Sequence, residues 1–190
     1  MVPAAVIAAT MRHFVHWRRL LLMTMLRVAL VEPEIPQNTG NIARLCAATN
    51  TPLHIVGATG FRLDDRAVRR AGLDYWAEVE LVRHHDLNEL RARFGEARLV
   101  YFTTKAELPY FEWKFDPNDC LVFGRETRGL PDDLLRTNRE NCVTIPMLNS
   151  KVRSLNLANA VSIVLYEALR QTGAFNNWYR TANRSERDKQ

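Results

Sequence analysis

The chain has 190 residues, of which 47% are hydrophobic and 25% are charged. This length is typical of a single domain, and the composition excludes a disordered, fibrous or low-complexity protein. A formal net charge of +5 permits an anionic partner without requiring one.

The cysteines and histidines argue against disulfide and metal chemistry. Cys46, Cys120 and Cys142 are odd in number, far apart and set in apolar stretches, and the five histidines form no metal-binding pattern. We therefore expect buried, reduced thiols, a cytoplasmic protein and no metal.

Residues 1–24 contain no acidic residue and carry a basic cluster after an apolar run. A signal peptide has its positive charge first, and the apolar runs are far shorter than the roughly 20 residues that span a bilayer, so we expect neither secretion nor a membrane. Met25 directly precedes the first convincing strand. We expect 1–24 to be a disordered extension outside the functional chain, 25–175 to be one domain, and 176–190 to be a polar, mobile tail. Without the extension the charge is 23 minus 21, or +2.

Beyond Leu26, short apolar runs alternate with helical patterns, which predicts an α/β fold with a mainly parallel sheet flanked by helices. Strands are predicted at 26–32, 53–57, 78–82, 98–103, 120–124 and 142–145, and helices at 38–49, 64–71, 86–94, 131–137 and 154–171. The continuously apolar runs 99–102 and 120–123 indicate strands at the centre of the sheet. Such folds bind ligands beyond the carboxyl ends of their strands, so the site is expected in the loops after residues 31, 103, 124 and 145.

The loop after the first strand leads into a helix that begins with NTGNIAR (38–44). Asn38 or Thr39 is predicted to be its N-cap, and Asn41 and Arg44 share a face near the helix N-terminus, which favours an anion. The alternative is a well-capped helix with an exposed arginine.

The second loop contains FGRETRGLP (123–131). Gly124 allows close approach of a ligand, and Gly129 allows an unusual turn. A buried Glu126 would need partners, which we expect Arg125 or Arg128 to supply. The alternative is an ion-paired turn without a ligand.

The third stretch leads into the longest helix, for which Ser154 is predicted to be the N-cap. Asn156, Asn159, Ser162 and Tyr166 form a polar stripe on an otherwise apolar helix. Buried amides must be hydrogen-bonded, so this stripe is expected to face a ligand or a second subunit, with ordinary packing as the alternative.

In this order the three stretches, the last of which reads IPMLNSKVRSLNLANAVSIVLYE (145–167), resemble the motifs of the SPOUT superfamily of S-adenosylmethionine-dependent RNA methyltransferases. The resemblance extends from about Met25 to Phe175 and includes EPEIPQNTGN, RRAGLDYW and TTK. In this detail the chain is similar to the subfamily that methylates the ribose 2′-hydroxyl of the wobble nucleotide, cytidine or uridine 34, of tRNA. The dinucleotide fingerprint GxGxxG and the P-loop are absent from the sequence.

The resemblance implies a deep C-terminal trefoil knot, an obligate homodimer, S-adenosylmethionine as methyl donor, and the tRNA anticodon stem-loop as substrate. The residues that it assigns to the donor are Phe102, Gly124, Ile145 and Ser154. The residues that it assigns to the active site are Arg44, Asn38, Glu126 and Asn156. Tyr166 is expected near the dimer interface, and Arg125 receives no role.

RNA affinity is expected to come from arginines clustered across two subunits, such as Arg66, Arg69, Arg70, Arg128 and Arg153. One alternative function is a ribose methyltransferase for another tRNA or rRNA site. A second is a non-catalytic, dimeric RNA-binding relative, which the presence of all the motif residues disfavours.

Overall fold

The computed structural model describes residues 26–62 and 76–176. The predicted extension 1–24, the predicted helix 64–71 with Arg66, Arg69 and Arg70, and all but the first residue of the predicted tail 176–190 lie outside the described residues.

The described chain contains six strands and four α-helices, and a helix separates most successive strands. Their bounds are β1 (Arg27–Val31), α1 (Pro36–Ala48), β2 (Leu53–Val56), β3 (Leu81–His84), α2 (Leu87–Phe94), β4 (Leu99–Phe102), β5 (Cys120–Phe123), α3 (Asp132–Thr137), β6 (Cys142–Val143) and α4 (Leu157–Gln171). Single 3₁₀ turns cover Trp76–Glu78 and Arg139–Asn141. None of the described helices is long and apolar enough to cross a membrane.

The strands form one sheet in the order β3-β2-β1-β5-β4-β6, and all its pairs are parallel. The prediction of an α/β fold with a parallel sheet is confirmed. β5 lies at the centre beside β1, as predicted, whereas β4 lies one place further out and has only the two-residue β6 beyond it.

Successive side chains of each strand enter two separate cores, as the period of two in a strand requires. Val28 and Leu30 pack on the face covered by α1 and α4. Ala29 and Val31 pack on the opposite face, with Leu90 of α2 and further side chains of α3. The sheet is therefore covered on both sides, which explains why its strands read as continuous apolar runs.

Two predicted strands differ from those in the structure. The strand expected over 78–82 lies at Leu81–His84, and the strand expected over 142–145 ends at Val143. The chain after Val143 pairs with a different segment, because Thr144 N–H donates to the Leu108 carbonyl at 2.8 Å and the Thr144 carbonyl accepts from Tyr110 N–H at 2.8 Å.

A buried histidine pair joins β2 to β3. His54 and His84 are 2% and 5% exposed, and His54 Nδ1 lies 2.9 Å from His84 Nε2. Burial, with smaller contributions from His84, Arg27 and Arg93, lowers the pKa of His54 from 6.5 to about 3, and burial also lowers the pKa of His84. Both rings are therefore neutral at pH 7.

The histidine pair should make stability fall in mild acid. Between about pH 3 and pH 6.5 the unfolded chain binds a proton at position 54 that the folded chain excludes, so stability is lost as the pH falls below 6.5. From pH 7 to about pH 4.5, His54 should remove roughly 2–3 kcal/mol from the free energy of unfolding. Urea titrations at both pH values would measure this loss.

The matched variants are His54→Leu/His84→Leu, which replaces both partners by apolar groups, and His85→Asn, whose side chain is 92% exposed. The double variant should lose less stability in acid than the wild type, and His85→Asn should lose as much. An equal loss in all three proteins would contradict a role for the pair.

Candidate active site

A cavity of about 700 Å³ lies at the carboxyl ends of β1, β4, β5 and β6. This is the edge of the sheet at which the sequence predicts the site. The cavity is lined by seven of the eight predicted site residues, namely Asn38, Phe102, Gly124, Glu126, Ile145, Ser154 and Asn156. Arg44 is exposed on α1 and is not part of this lining.

Two stacked phenylalanine rings form an apolar part of the cavity wall. Phe102 and Phe123 are paired in register at the ends of β4 and β5, and their ring centroids are 4.7 Å apart with planes 14° from parallel. The half-buried Ile145 packs against the same core. This wall suits a flat or apolar part of a ligand.

Gly124 begins a tight turn, residues 124–129, which we call the glycine turn. Arg125 and Gly129 exchange backbone hydrogen bonds of 3.2 and 2.8 Å, and Gly129 has a φ of +69°. A Cβ atom on Gly124 would lie 2.2 Å from the Gly129 carbonyl carbon. Only glycine fits at position 124, because no side chain can share this space with the backbone.

Glu126 ties the glycine turn to the β1–α1 loop, residues 32–35. Its carboxylate accepts the backbone N–H groups of Glu34 at 2.8 Å and Ile35 at 3.2 Å, and the side-chain amide of Asn38 at 3.0 Å. The expectation that Arg125 or Arg128 would pair with Glu126 is wrong. Arg125 instead donates to Glu32, with its Nε 2.7 Å from Glu32 Oε2.

The hydrogen bonds continue from Glu126 through Asn38 to the N-terminus of α4. Asn38 Oδ1 accepts from Asn156 Nδ2 at 2.9 Å, and Asn156 Oδ1 accepts from the N–H groups of Ala158 at 2.9 Å and Asn159 at 3.3 Å. Both amides use their nitrogen on one side and their oxygen on the other. Their orientation is therefore determined by the network, which braces three loops against one another.

Two predicted helix caps are wrong. Asn156, and not Ser154, is the N-cap of α4, which begins at Leu157 and not at residue 154. α1 begins at Pro36 with Ile35 as a cap that makes no side-chain hydrogen bond, so Asn38 and Thr39 lie inside the helix. Asn38 is buried there because its amide serves the network.

The predicted polar stripe on α4 has a mixed outcome. Asn156 is the cap, and the Ser162 hydroxyl donates to the Ala158 carbonyl at 2.7 Å within the helix. Asn159 and Tyr166 are exposed in the single chain.

The residue-by-residue prediction missed Glu34, Thr127, Thr103 and Lys105. Thr127, Thr103 and Lys105 line the cavity, and Glu34 accepts two hydrogen bonds from Thr127. Acidic residues directly after a buried strand, as in Glu32-Pro33-Glu34, were the available signal for Glu34. Arg153, predicted only as an RNA contact, also lines the cavity.

The chain is similar to known proteins along most of its length. A model of the SpoU rRNA Methylase family matches residues 25–166. The tRNA (cytidine(34)-2'-O)-methyltransferase of Escherichia coli strain K12 is 47% identical over 150 residues, which are 78% of this chain and 95% of that protein.

Solved structures have the same fold. One, described as "Structural insights into the 2-OH methylation of C/U34 on tRNA", has a TM-score of 0.75 and 42% identity, and covers 80% of this chain and 99% of that chain. The SpoU Methyltransferase AviRb from Streptomyces viridochromogenes in complex with the cofactor AdoMet has a TM-score of 0.70 and 30% identity. That match covers 80% of this chain and 62% of the AviRb chain.

Proposed function

Because the chain belongs to the SpoU rRNA Methylase family, we propose that it methylates the ribose 2′-hydroxyl of the wobble nucleotide, position 34, of tRNA. S-adenosylmethionine is the methyl donor and S-adenosylhomocysteine the product. The observation that carries the proposal is the cavity, in which six residues from three separated motifs meet Phe102 of β4 at one edge of the sheet. The similarity to the E. coli enzyme along 95% of its length supports the choice of substrate.

The residues of the cavity fit S-adenosylmethionine. The cavity has a volume of about 700 Å³, which lies within the usual range of about 300–1,000 Å³ for small-molecule sites. Phe102 and Ile145 contribute apolar surface for the adenine and the thioether chain, while Gly124 lets the glycine turn close on itself beside the cavity. The donor supplies an electrophilic methyl group on a sulfonium. The chain's own residues bind it, bend it and present it to the ribose.

Ser154 offers a hydroxyl to the donor at the rim of the cavity. In Ser154→Ala the dissociation constant for S-adenosylmethionine should rise about threefold to tenfold, the usual effect of one lost hydrogen bond. Isothermal titration measures this change. Ser150→Ala is the matched control, because Ser150 is exposed in the same segment and does not line the cavity. Unchanged affinity in Ser154→Ala would remove this residue from the donor site.

Arg44 is the proposed cation of the reaction. A guanidinium stays charged at pH 7, so it is a poor proton acceptor. Arg44 binds the phosphate beside nucleotide 34 and stabilises the negative charge that develops on the attacking 2′-oxygen. The proton leaves through the phosphate or water. Much of the acceleration comes from holding oxygen and methyl in line, a contribution that reaches about 7–11 kcal/mol in well-oriented reactions.

The proposed enzyme is a homodimer. Large apolar side chains are exposed on the segment before α4 and on the outer face of α4, namely Leu148, Val152, Leu155, Ile163 and Tyr166. Several exposed apolar side chains within one stretch of the chain are typical of a protein interface. Arg44 does not line the cavity of its own chain. In a dimer, Arg44 of the second subunit is a suitable source of the cation that the reaction needs.

Sedimentation velocity tests the dimer. The wild type should sediment with twice the mass of the chain, and Ile163→Asp, which places a charge in this surface, should sediment as a monomer. Asn88→Asp on the exposed side of α2 is the control and should remain dimeric. A monomeric wild type would contradict the proposed assembly.

RNA binding rests on arginines near the cavity. Arg128 and Arg153 are exposed and line it, so they are placed to contact the backbone of the anticodon stem-loop. Each phosphate contact makes binding weaker at higher salt. The remaining proposed contacts, Arg66, Arg69 and Arg70, lie outside the described residues.

The C-terminal part of the proposed fold is threaded as a trefoil knot. This rests on the resemblance of the motifs, together with the position of residues 145–156, which leave β6 and return to the cavity lined by the glycine turn. The functional unit is 25–175, and it acts in the cytoplasm on tRNA. N-terminal sequencing of the native protein tests whether the chain begins near Met25.

Nucleoside mass spectrometry of tRNA from a deletion strain tests the function. The 2′-O-methyl group at the first anticodon base should disappear and should return with the wild-type gene. Loss at another tRNA or rRNA position instead would identify a different ribose methyltransferase, and no loss at any position would favour a non-catalytic RNA-binding protein.

A further inference from the structure

Two carboxylates connect the β1–α1 loop with the glycine turn, and each segment contributes one of them. Glu126 of the turn accepts backbone N–H groups of the loop. In return, Glu34 Oε2 of the loop accepts the Thr127 backbone N–H at 3.2 Å and the Thr127 hydroxyl at 2.8 Å. The first contact belongs to a recognised motif residue. The second has no assigned role.

Glu34 does not line the cavity, whereas Thr127 does. We propose that Glu34 is a positioning residue for the donor, which acts through Thr127 to hold the glycine turn in the shape that binds S-adenosylmethionine. This inference rests on the proposed function, because it names the residue that shapes the same cavity.

The chemistry of the contact favours a carboxylate at position 34. Both donors of Thr127 point at one oxygen, and an ionised carboxylate only accepts hydrogen bonds, so the pair has one possible arrangement. The hydrogen bond from the Thr127 side chain, with smaller contributions from Arg125 and Arg128, holds the pKa of Glu34 below its usual value. Glu34 is therefore ionised at pH 7.

The contact between Glu34 and Thr127 lies near the surface, so its loss should affect ligand binding more than folding. Thr127 is exposed and Glu34 is half-buried, so water can replace either partner at little cost to the folded state. The turn also keeps its two internal backbone hydrogen bonds between Arg125 and Gly129. Removing Glu34 should therefore loosen the turn against the loop while the core and the melting temperature stay unchanged.

A double-mutant cycle read by isothermal titration with S-adenosylhomocysteine tests the proposal. Glu34→Ala and Thr127→Val should each raise the dissociation constant about fivefold to tenfold. Glu34→Ala removes both hydrogen bonds with Thr127, whereas Thr127→Val removes only the one from the hydroxyl. The double variant should therefore bind no worse than Glu34→Ala alone. Thr127→Ser should bind as the wild type does. In turnover assays the KM for the donor should rise in Glu34→Ala while kcat changes less than about twofold.

Thr137→Val is the matched control, because the Thr137 hydroxyl also bonds to an acceptor, the Asp133 carbonyl, on α3 away from the cavity. It should bind the product as the wild type does. Unchanged affinity in both Glu34→Ala and Thr127→Val, or losses that multiply in the double variant, would overturn the proposal.

Hydrogen exchange separates a failure of this inference from a failure of the proposed function. If the wild type binds no S-adenosylhomocysteine, the proposed function is wrong. The exchange rate of the Thr127 amide then still shows whether Glu34 holds the glycine turn in place. Faster exchange over residues 124–130 in Glu34→Ala, but not in Thr137→Val, supports a positioning role. Equal exchange in the two variants overturns it.

Discussion

Arg44→Lys should lower kcat by about 100-fold or more while the dissociation constant for S-adenosylmethionine stays within about twofold of the wild type. Lysine keeps the charge but loses the planar fork that contacts a phosphate and a developing oxyanion together. Donor binding is spared because Arg44 does not belong to the cavity lining. Single-turnover methylation of tRNA and isothermal titration measure the two quantities.

Arg136→Lys is the matched control for the arginine. Arg136 is an exposed helical arginine on α3, where it pairs with Asp133. The Arg136→Lys variant should methylate tRNA at the wild-type rate. Near-normal turnover by Arg44→Lys would exclude the proposed role, and an equal loss of donor binding and turnover would place Arg44 in the donor site instead.

Gly124→Ala should abolish donor binding and destabilise the fold by about 3 kcal/mol, the upper end of the usual cost of overpacking. The added methyl carbon would lie 2.3 Å from the Leu130 nitrogen and 2.5 Å from the Gly129 oxygen, and both are backbone atoms that no rotamer change can move. The glycine turn must open, and the cavity loses its shape. Urea titration and S-adenosylhomocysteine binding measure the two losses.

Gly95→Ala separates this clash from ordinary glycine strain. Gly95 has a φ of +57°, but nothing lies within 4 Å of an added Cβ atom there. Gly95→Ala should cost about 1–3 kcal/mol, because a φ of +57° with a ψ of −112° is a backbone conformation that L-residues avoid, and it should leave donor binding intact. If both variants were equally stable and Gly124→Ala bound S-adenosylhomocysteine normally, the close packing of the glycine turn would have no functional role.

The local pattern predicts the strands well and the caps poorly. β4 and β5 are recognisable because four successive apolar residues with no polar break describe a strand covered on both faces. The start of α4 is ambiguous, since Ser154 and Asn156 are both good N-cap residues. The choice depends on the bond from Asn156 to Asn38, 118 residues away, which no local pattern contains.

The cavity, too, is predicted from the sequence only in part. Its position follows from a general property of parallel sheets, and the motifs identify most of its lining. The partners of Glu126 do not follow from the sequence, because nearby arginines are the expected partners of a glutamate. This half-buried glutamate instead accepts backbone N–H groups about 90 residues away. Glu34 was missed because its contact with Thr127 appears only when the two loops meet.

The hydrogen bonds from Glu126 through Asn38 to Asn156 have a consequence for biosynthesis. They join residues 88 and 118 positions apart, and the last of these residues precedes the final helix. During translation the strands β1 to β6 emerge before Asn156, so a nascent chain lacks one wall and the brace of its cavity until α4 leaves the ribosome. Formation of the cavity is thereby coupled to synthesis of α4, and a ligand that binds in the cavity should stabilise chains that contain this helix over shorter ones.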